Sequence, residues 1–158
     1  MAYYLARRDG QAIEQSRKAI ELAPNISDAH LVLGSAFREE GSYREAIVEL
    51  QEAVKLSHDN RRALATLAYT YAVSGKKAEA RTILRQLRRE EKQHYVSPFH
   101  LAVVYVGLGE NDRAFEMLRQ AYEEHSEFLI FVNVTPVFDR VRSDTRFQDL
   151  LRRIGLPR

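Results

Sequence analysis

The sequence predicts an all-α protein, a right-handed solenoid of stacked helix hairpins closed by a C-terminal helical cap. Glycines recur every 34 residues at Gly41, Gly75 and Gly109. Alanines keep the same step at Ala12, Ala46, Ala80 and Ala114, and aromatics at Phe37, Tyr71 and Tyr105. With 7 Gly and 4 Pro among 158 residues, and Ala, Leu, Glu and Arg abundant, the composition favours helix throughout. A short repeating unit cannot bury its apolar face alone, so a shared period implies an array in which each unit covers its neighbour.

The elements follow in order. Helices are predicted at about 11–22, 27–40, 43–56, 60–73, 77–92, 97–108 and 111–125. Leu33, Leu67 and Leu101, and Leu50, Leu84 and Leu118, share the period and supply core positions. The small residues Gly34, Ala68 and Ala102 let the second helix of a hairpin approach the first, and Ala46, Ala80 and Ala114 do so from the other side. Phe37, Tyr71 and Tyr105 fill the gaps between hairpins. Gly41, Gly75 and Gly109 end the first helices, where a left-handed residue is wanted. Ser42 with Glu45 reads as a capping box, Asn111 as an N-cap, and Ser97-Pro98 and Thr135-Pro136 as N-cap followed by N1 proline. Asp144 caps a last amphipathic helix carrying Phe147, Leu150, Leu151 and Ile154, which stops at Gly155.

This period and residue pattern resemble the tetratricopeptide-repeat (TPR) family. In that register the array covers residues 1–128: a partial repeat at 1–26, with Tyr3, Ala12, Ala19 and Pro24 in the expected places, and full repeats at 27–60, 61–94 and 95–128. Residues 129–158 form the capping segment, whose run Leu129-Ile130-Phe131-Val132-Asn133-Val134 can cover the last apolar face. The first helix of the partial repeat would begin before Met1. Either the natural chain continues upstream, or a second copy covers that end.

The stretch from Tyr95-Val96-Ser97-Pro98-Phe99-His100 through Leu108-Gly109-Glu110 and Arg113-Ala114-Phe115 to Phe138-Asp139 and Asp144-Thr145-Arg146-Phe147 is similar to something narrower. It looks like the repeat region of multidomain bacterial signalling proteins, in which a kinase, cyclase or winged-helix domain precedes the repeats. Thr145 and Thr135 stand where those proteins usually carry proline and often aspartate, respectively. The resemblance implies a bacterial, cytoplasmic, signalling context.

Much chemistry is excluded. Without cysteine there is no disulfide, thiolate metal site or cysteine nucleophile. His30, His58, His94, His100 and His125 include no i, i+4 pair and no H-E-x-x-H pattern, so no metal site is predicted. Phosphate-cradling glycine loops and the nucleophile elbow are absent too, so neither catalysis nor a cofactor is expected. No apolar run approaches the ~20 residues that span a bilayer. A net charge of +2 argues for neither nucleic acid nor an anionic membrane. The basic run Lys76, Lys77, Arg81, Arg85, Arg88, Arg89 and Lys92 reads as a solvated helix face or as a patch for an acidic partner.

The TPR resemblance implies binding of a protein or peptide, in the concave groove lined by first helices. The transferred groove positions are Asp28, Leu31, Ser35 and Arg38, then Arg62, Ala65, Tyr69 and Ala72, then Val96, Phe99, Val103 and Val106. Arg38 and Arg62 would meet acidic groups, while Tyr69, Phe99 and Val103 would meet an apolar side chain. Alternatively, the chain's own tail covers the apolar end. The chaperone-tail clamp of some TPRs is not matched, since Leu31, Ser35, Thr66, Val96 and His100 occupy its positions. A self-associating module, forming a homodimer through the N-terminal repeat end, is the alternative function; a monomer remains equally open.

Overall fold

A computed structural model describes residues 2–58 and 61–157, without the Tyr3 side chain. Met1, where the partial repeat is expected to begin, and Asn60, the expected start of one helix and end of one repeat, lie outside the described residues. The described residues are helical and contain no strand. Helices α1 (Ala2–Leu5), α2 (Asp9–Leu22), α3 (Ser27–Glu39), α4 (Tyr43–Leu56), α5 (Arg61–Val73), α6 (Lys77–Glu90), α7 (Pro98–Leu108) and α8 (Asn111–Glu123) form the stack. Two 3-10 turns, Glu127–Phe131 and Pro136–Val141, and α9 (Thr145–Arg153) form the tail. Every predicted helix is present, with ends shifted by about the two residues over which helix termini fray.

Helices pair as α3–α4, α5–α6 and α7–α8, and each pair packs on the next. Three clusters of buried side chains continue the core along the stack: Tyr4, Ile13 and Leu33 at one end, Leu31, Ile47 and Leu50 next, and a larger one running from Leu64 into the tail. The hairpins close tightly where side chains are smallest. A Cβ placed on Gly34 would lie 2.7 Å from Leu50 Cγ and 2.9 Å from the Ala46 carbonyl oxygen. Ala46, Ala80, Ala68 and Ala102 have no exposed surface.

Each first helix ends alike. Gly41, Gly75 and Gly109 have φ of 80°, 89° and 78°, which an L side chain adopts only with strain. The left-handed turn lets Ser42, Lys76 and Glu110 N–H donate to the carbonyls of Phe37, Tyr71 and Tyr105 at 2.9, 2.8 and 2.9 Å. Those three rings meet the preceding second helix: Arg17 lies over Phe37, Gln51 donates to the Tyr71 hydroxyl, and Arg88 donates to the Tyr105 hydroxyl.

The caps are partly different from expectation. Ser42 precedes α4, but its side chain makes no capping hydrogen bond, so the expected capping box is not formed. Asn111 is the first residue of α8, and Glu110 holds the cap position. Ser97 precedes Pro98 as expected but makes no side-chain cap; its hydroxyl faces that of Ser126 at 3.3 Å. Thr135-Pro136 opens a 3-10 turn in which the Thr135 hydroxyl donates back to the Phe131 carbonyl. Asp144 does cap α9, accepting from Arg146 N–H at 2.9 Å. The hairpins are already fixed by buried packing and by the glycine turns, so these helix starts need little help from side chains.

Candidate functional site: a roofed concave face

Helices α3, α5 and α7 contact one another directly and so line the inner face of the stack. The approach is closest between α5 and α7, where a Cβ on Gly107 would lie 2.8 Å from Tyr69 Cδ2. Between α3 and α5 contact is sparser, and the space is filled by Arg38.

Arg38 is only 4% exposed. Its guanidinium donates to the Tyr4 hydroxyl at 2.6 Å and to Glu39 at 2.7 and 3.0 Å, and lies 4.9 Å from the centre of the Tyr69 ring. Burial works against this charge, but Tyr4, Glu39 and Tyr69 outweigh it and hold the pKa above the usual guanidinium value. In turn burial pushes the Tyr4 hydroxyl up to about 12, with Arg38 partly opposing the shift. A buried guanidinium is tolerable only when paired and hydrogen-bonded, and α1 and the end of α3 supply both conditions.

The tail roofs the remainder. Phe138 packs edge-on against Phe99, with ring centres 5.4 Å apart, and Phe128 stacks on Phe99 at 5.9 Å. Arg140 lies near the Tyr69 hydroxyl and, with Arg38, opposes the rise that burial gives its pKa. Arg142 donates to the Asn133 carbonyl at 2.6 Å, and Asn133 to the Pro157 carbonyl at 2.9 Å, which ties the tail to itself. Phe138, Phe147, Leu151 and Val132 are fully buried, so the tail is part of the core. The tail also reaches the far end of the stack. Arg7 and Asp139 form a two-pronged ion pair across 132 residues, one prong 2.7 Å long. Arg7 holds the Asp139 carboxyl below its ordinary range. Each hairpin touches mainly its sequence neighbours, as expected, and this ion pair is an exception, made where the inward-curving stack brings the end of α1 within reach of the second 3-10 turn.

The five candidate groove residues therefore occupy different settings. Tyr69, Phe99 and Val103 are 5, 6 and 7% exposed and lie against the tail or beneath it. Arg38 is buried with them. Arg62 is partly exposed and pairs with the exposed Asp28 at 3.0 Å. Arg38, Arg62, Phe99 and Val103 share one cavity of about 200 Å³, whose walls also include Tyr4, Ser35, Phe128 and Phe131; Tyr69 does not line it. Sequence reasoning missed Tyr4, Gly107 and Asp139. Only Gly107 left a trace, as a small residue two positions before Gly109.

Other candidates are structural. His30 bridges Glu49 at 2.7 Å and the Pro24 carbonyl at 3.0 Å. On α6, Arg81 pairs with Glu110 at 2.7 Å and Arg88 with Glu91 at 2.9 Å, while Lys77, Arg85 and Arg89 face solvent. Among the described residues no three His, Asp or Glu side chains gather as a metal site would require, and no helix is long and apolar enough to cross a membrane.

The fold and its inner face define a helical-hairpin solenoid. Residues 37–102 match the tetratricopeptide repeat family model, which supports a TPR assignment for the hairpin stack. A search of curated proteins gives no match.

Proposed function

We propose that the chain is a non-catalytic interaction scaffold that binds a protein or peptide on its concave side, as part of a larger cytoplasmic bacterial signalling protein. TPR stacks generally mediate protein–protein interaction, and the C-terminal motif pattern supports the signalling context. The observation that carries the reading is the inner face itself: Arg62, partly exposed, and Phe131, 41% exposed, border the same depression, whose apolar rim Val137 continues. Arg62 and this rim make the contacts, while Arg38, Tyr69, Phe99 and Val103 shape the surface from beneath. Aromatic and arginine side chains at a rimmed depression are what protein interfaces favour. A net charge of +2 supports neither nucleic acid nor membrane as the partner.

A photo-crosslinking amino acid at Phe131 or Arg62 tests this in cell extract, with the outer-face position Arg85 as control. Adducts to one protein from the first two positions, lost on Arg62→Glu paired with crosslinking at 131, support the reading. Adducts from 85 alone overturn it.

Leu22, 88% exposed, and Ile26 beside it favour a second reading, in which two copies pair through α2 and α3. Sedimentation across a hundredfold concentration range tests it; a monomer throughout, unchanged by Leu22→Glu, removes it.

A further inference from the structure

The cavity on the inner face has a composition that folding alone does not require. It is open to solvent on one side and measures about 200 Å³. Its walls are mostly apolar, with Leu31, Ala65, Val103, Phe99 and Phe128 facing one another across α3, α5, α7 and the tail. The residues lining it include Arg38, Arg62 and His100 but no aspartate or glutamate. The tail supplies Phe131, Thr135 and Val137 to the same walls, which narrows the inner face there. A compact molecule can enter.

We propose that this cavity binds a small amphiphilic carboxylate, a ring or branched alkyl group on a short acid arm. An apolar cavity of about 150 Å³ accepts benzene, so about 200 Å³ accommodates a ring and a short arm. The ring lies among Phe99, Phe128 and Val103, and the carboxylate meets Arg62. Arg62 is free to turn, because its partner Asp28 is exposed on the surface, where such a pair holds weakly. Arg38 is committed to Tyr4 and Glu39 and contributes positive potential without direct contact. Thr66 and Thr135 already donate their hydroxyl hydrogens to the Arg62 and Phe131 carbonyls, so their side chains offer the acid no donor. Ser35 and His100 also line the cavity, and Arg62 is the guanidinium there that is not held by buried partners, so selectivity for the acid over its amide is assigned to Arg62.

The test uses 3-phenylpropionate as probe and 3-phenylpropanamide as its neutral isostere, with calorimetry, thermal shift and intermolecular NOEs. The expected result is saturable binding of the acid, NOEs from its ring to the Val103 methyls, and a rise in melting temperature. The amide binds about tenfold more weakly, as does the acid to Arg62→Gln, the loss of one charge-assisted hydrogen bond. Ala65→Leu fills the cavity and abolishes binding. Equal binding of acid and amide overturns the carboxylate class, and acid binding that survives Ala65→Leu puts the probe elsewhere. Absence of saturable binding to the unsubstituted protein overturns the site altogether. Should Ala65→Leu not fold, the Arg62→Gln and amide comparisons decide alone.

Discussion

Replacing Gly34 by alanine should destabilise the stack, whereas the same replacement at Gly10 should stabilise it. Both glycines are helical; the methyl group removes an intrinsic penalty of about 1 kcal/mol at Gly34, inside α3, and a smaller one at Gly10, in the first turn of α2. At Gly10 a Cβ has nothing within 4 Å, so most of that gain is kept. At Gly34 the new carbon would sit 2.7 Å from Leu50 Cγ and 2.9 Å from the Ala46 backbone oxygen. Leu50 is fully buried and cannot swing away, and the Ala46 carbonyl moves only if α4 moves. Overpacking of this kind costs about 1–3 kcal/mol. After the propensity gain, Gly34→Ala should lose up to about 2 kcal/mol and Gly10→Ala should gain about 0.5 kcal/mol. For a chain of this size that separates the two variants by roughly 1–10 °C in melting temperature. Urea titration followed by far-ultraviolet circular dichroism reads both values. A Gly34→Ala protein as stable as the Gly10→Ala protein would refute the close helix contact on which the hairpin geometry depends.

Phe138→Ala removes a fully buried ring from between Phe99 and Phe147 and should cost about 3–5 kcal/mol; denaturant titration, with limited proteolysis mapping cleavage after residue 128, measures it. Asp139→Asn should cost less than about 1 kcal/mol, because both partners of the Arg7 ion pair are nearly half exposed, but it should speed amide exchange in α1. Because the folded pKa of Asp139 is depressed, its contribution is present above the ordinary carboxylate range and disappears as pH falls through the folded value; protection factors of the Ala6 and Arg7 amides, with the intrinsic pH dependence of exchange divided out, should fall only at the acid end between pH 7 and 3. Tyr4 has the opposite sign: with a folded pKa of about 12, it favours folding below the ordinary phenol value near 10. That contribution, of the order of 2–3 kcal/mol, is lost between pH 10 and 12. Tyr4→Phe should flatten this alkaline limb in ultraviolet-monitored titration.

The hairpins were legible in the sequence because their causes are local and periodic. A glycine at the left-handed turn, alanines at helix contacts and an aromatic facing the previous hairpin each recur with the unit. The tail was legible in content but not in path. Its apolar run predicts burial, and Asp144 predicts the last helix, but two 3-10 turns crossing the inner face leave no 34-residue signature. The groove residues divide for the same reason. Repeat register places Arg38, Tyr69, Phe99 and Val103 on the inner face, yet what lies above them depends on Tyr4, Phe128, Phe138 and Arg140. Arg38 was expected to face a partner's acid and instead meets the chain's own Glu39 and Tyr4. The Arg7–Asp139 pair has no sequence cue, since either charge alone looks like ordinary surface.

That pair gives the molecule a property an open row of hairpins lacks. Such a row behaves as a spring whose length changes by one coil whenever a unit is added or lost. A clasp from one end to the other closes at a single length. Splicing one more 34-residue unit between α3 and α8 would draw Asp139 away from Arg7 and part the two sides of the inner chamber, one contributed by Tyr4 and Leu5 and the other by Phe131 and Val137. The clasp therefore acts as a gauge of the distance between α1 and the tail, which the three hairpins from α3 to α8 set.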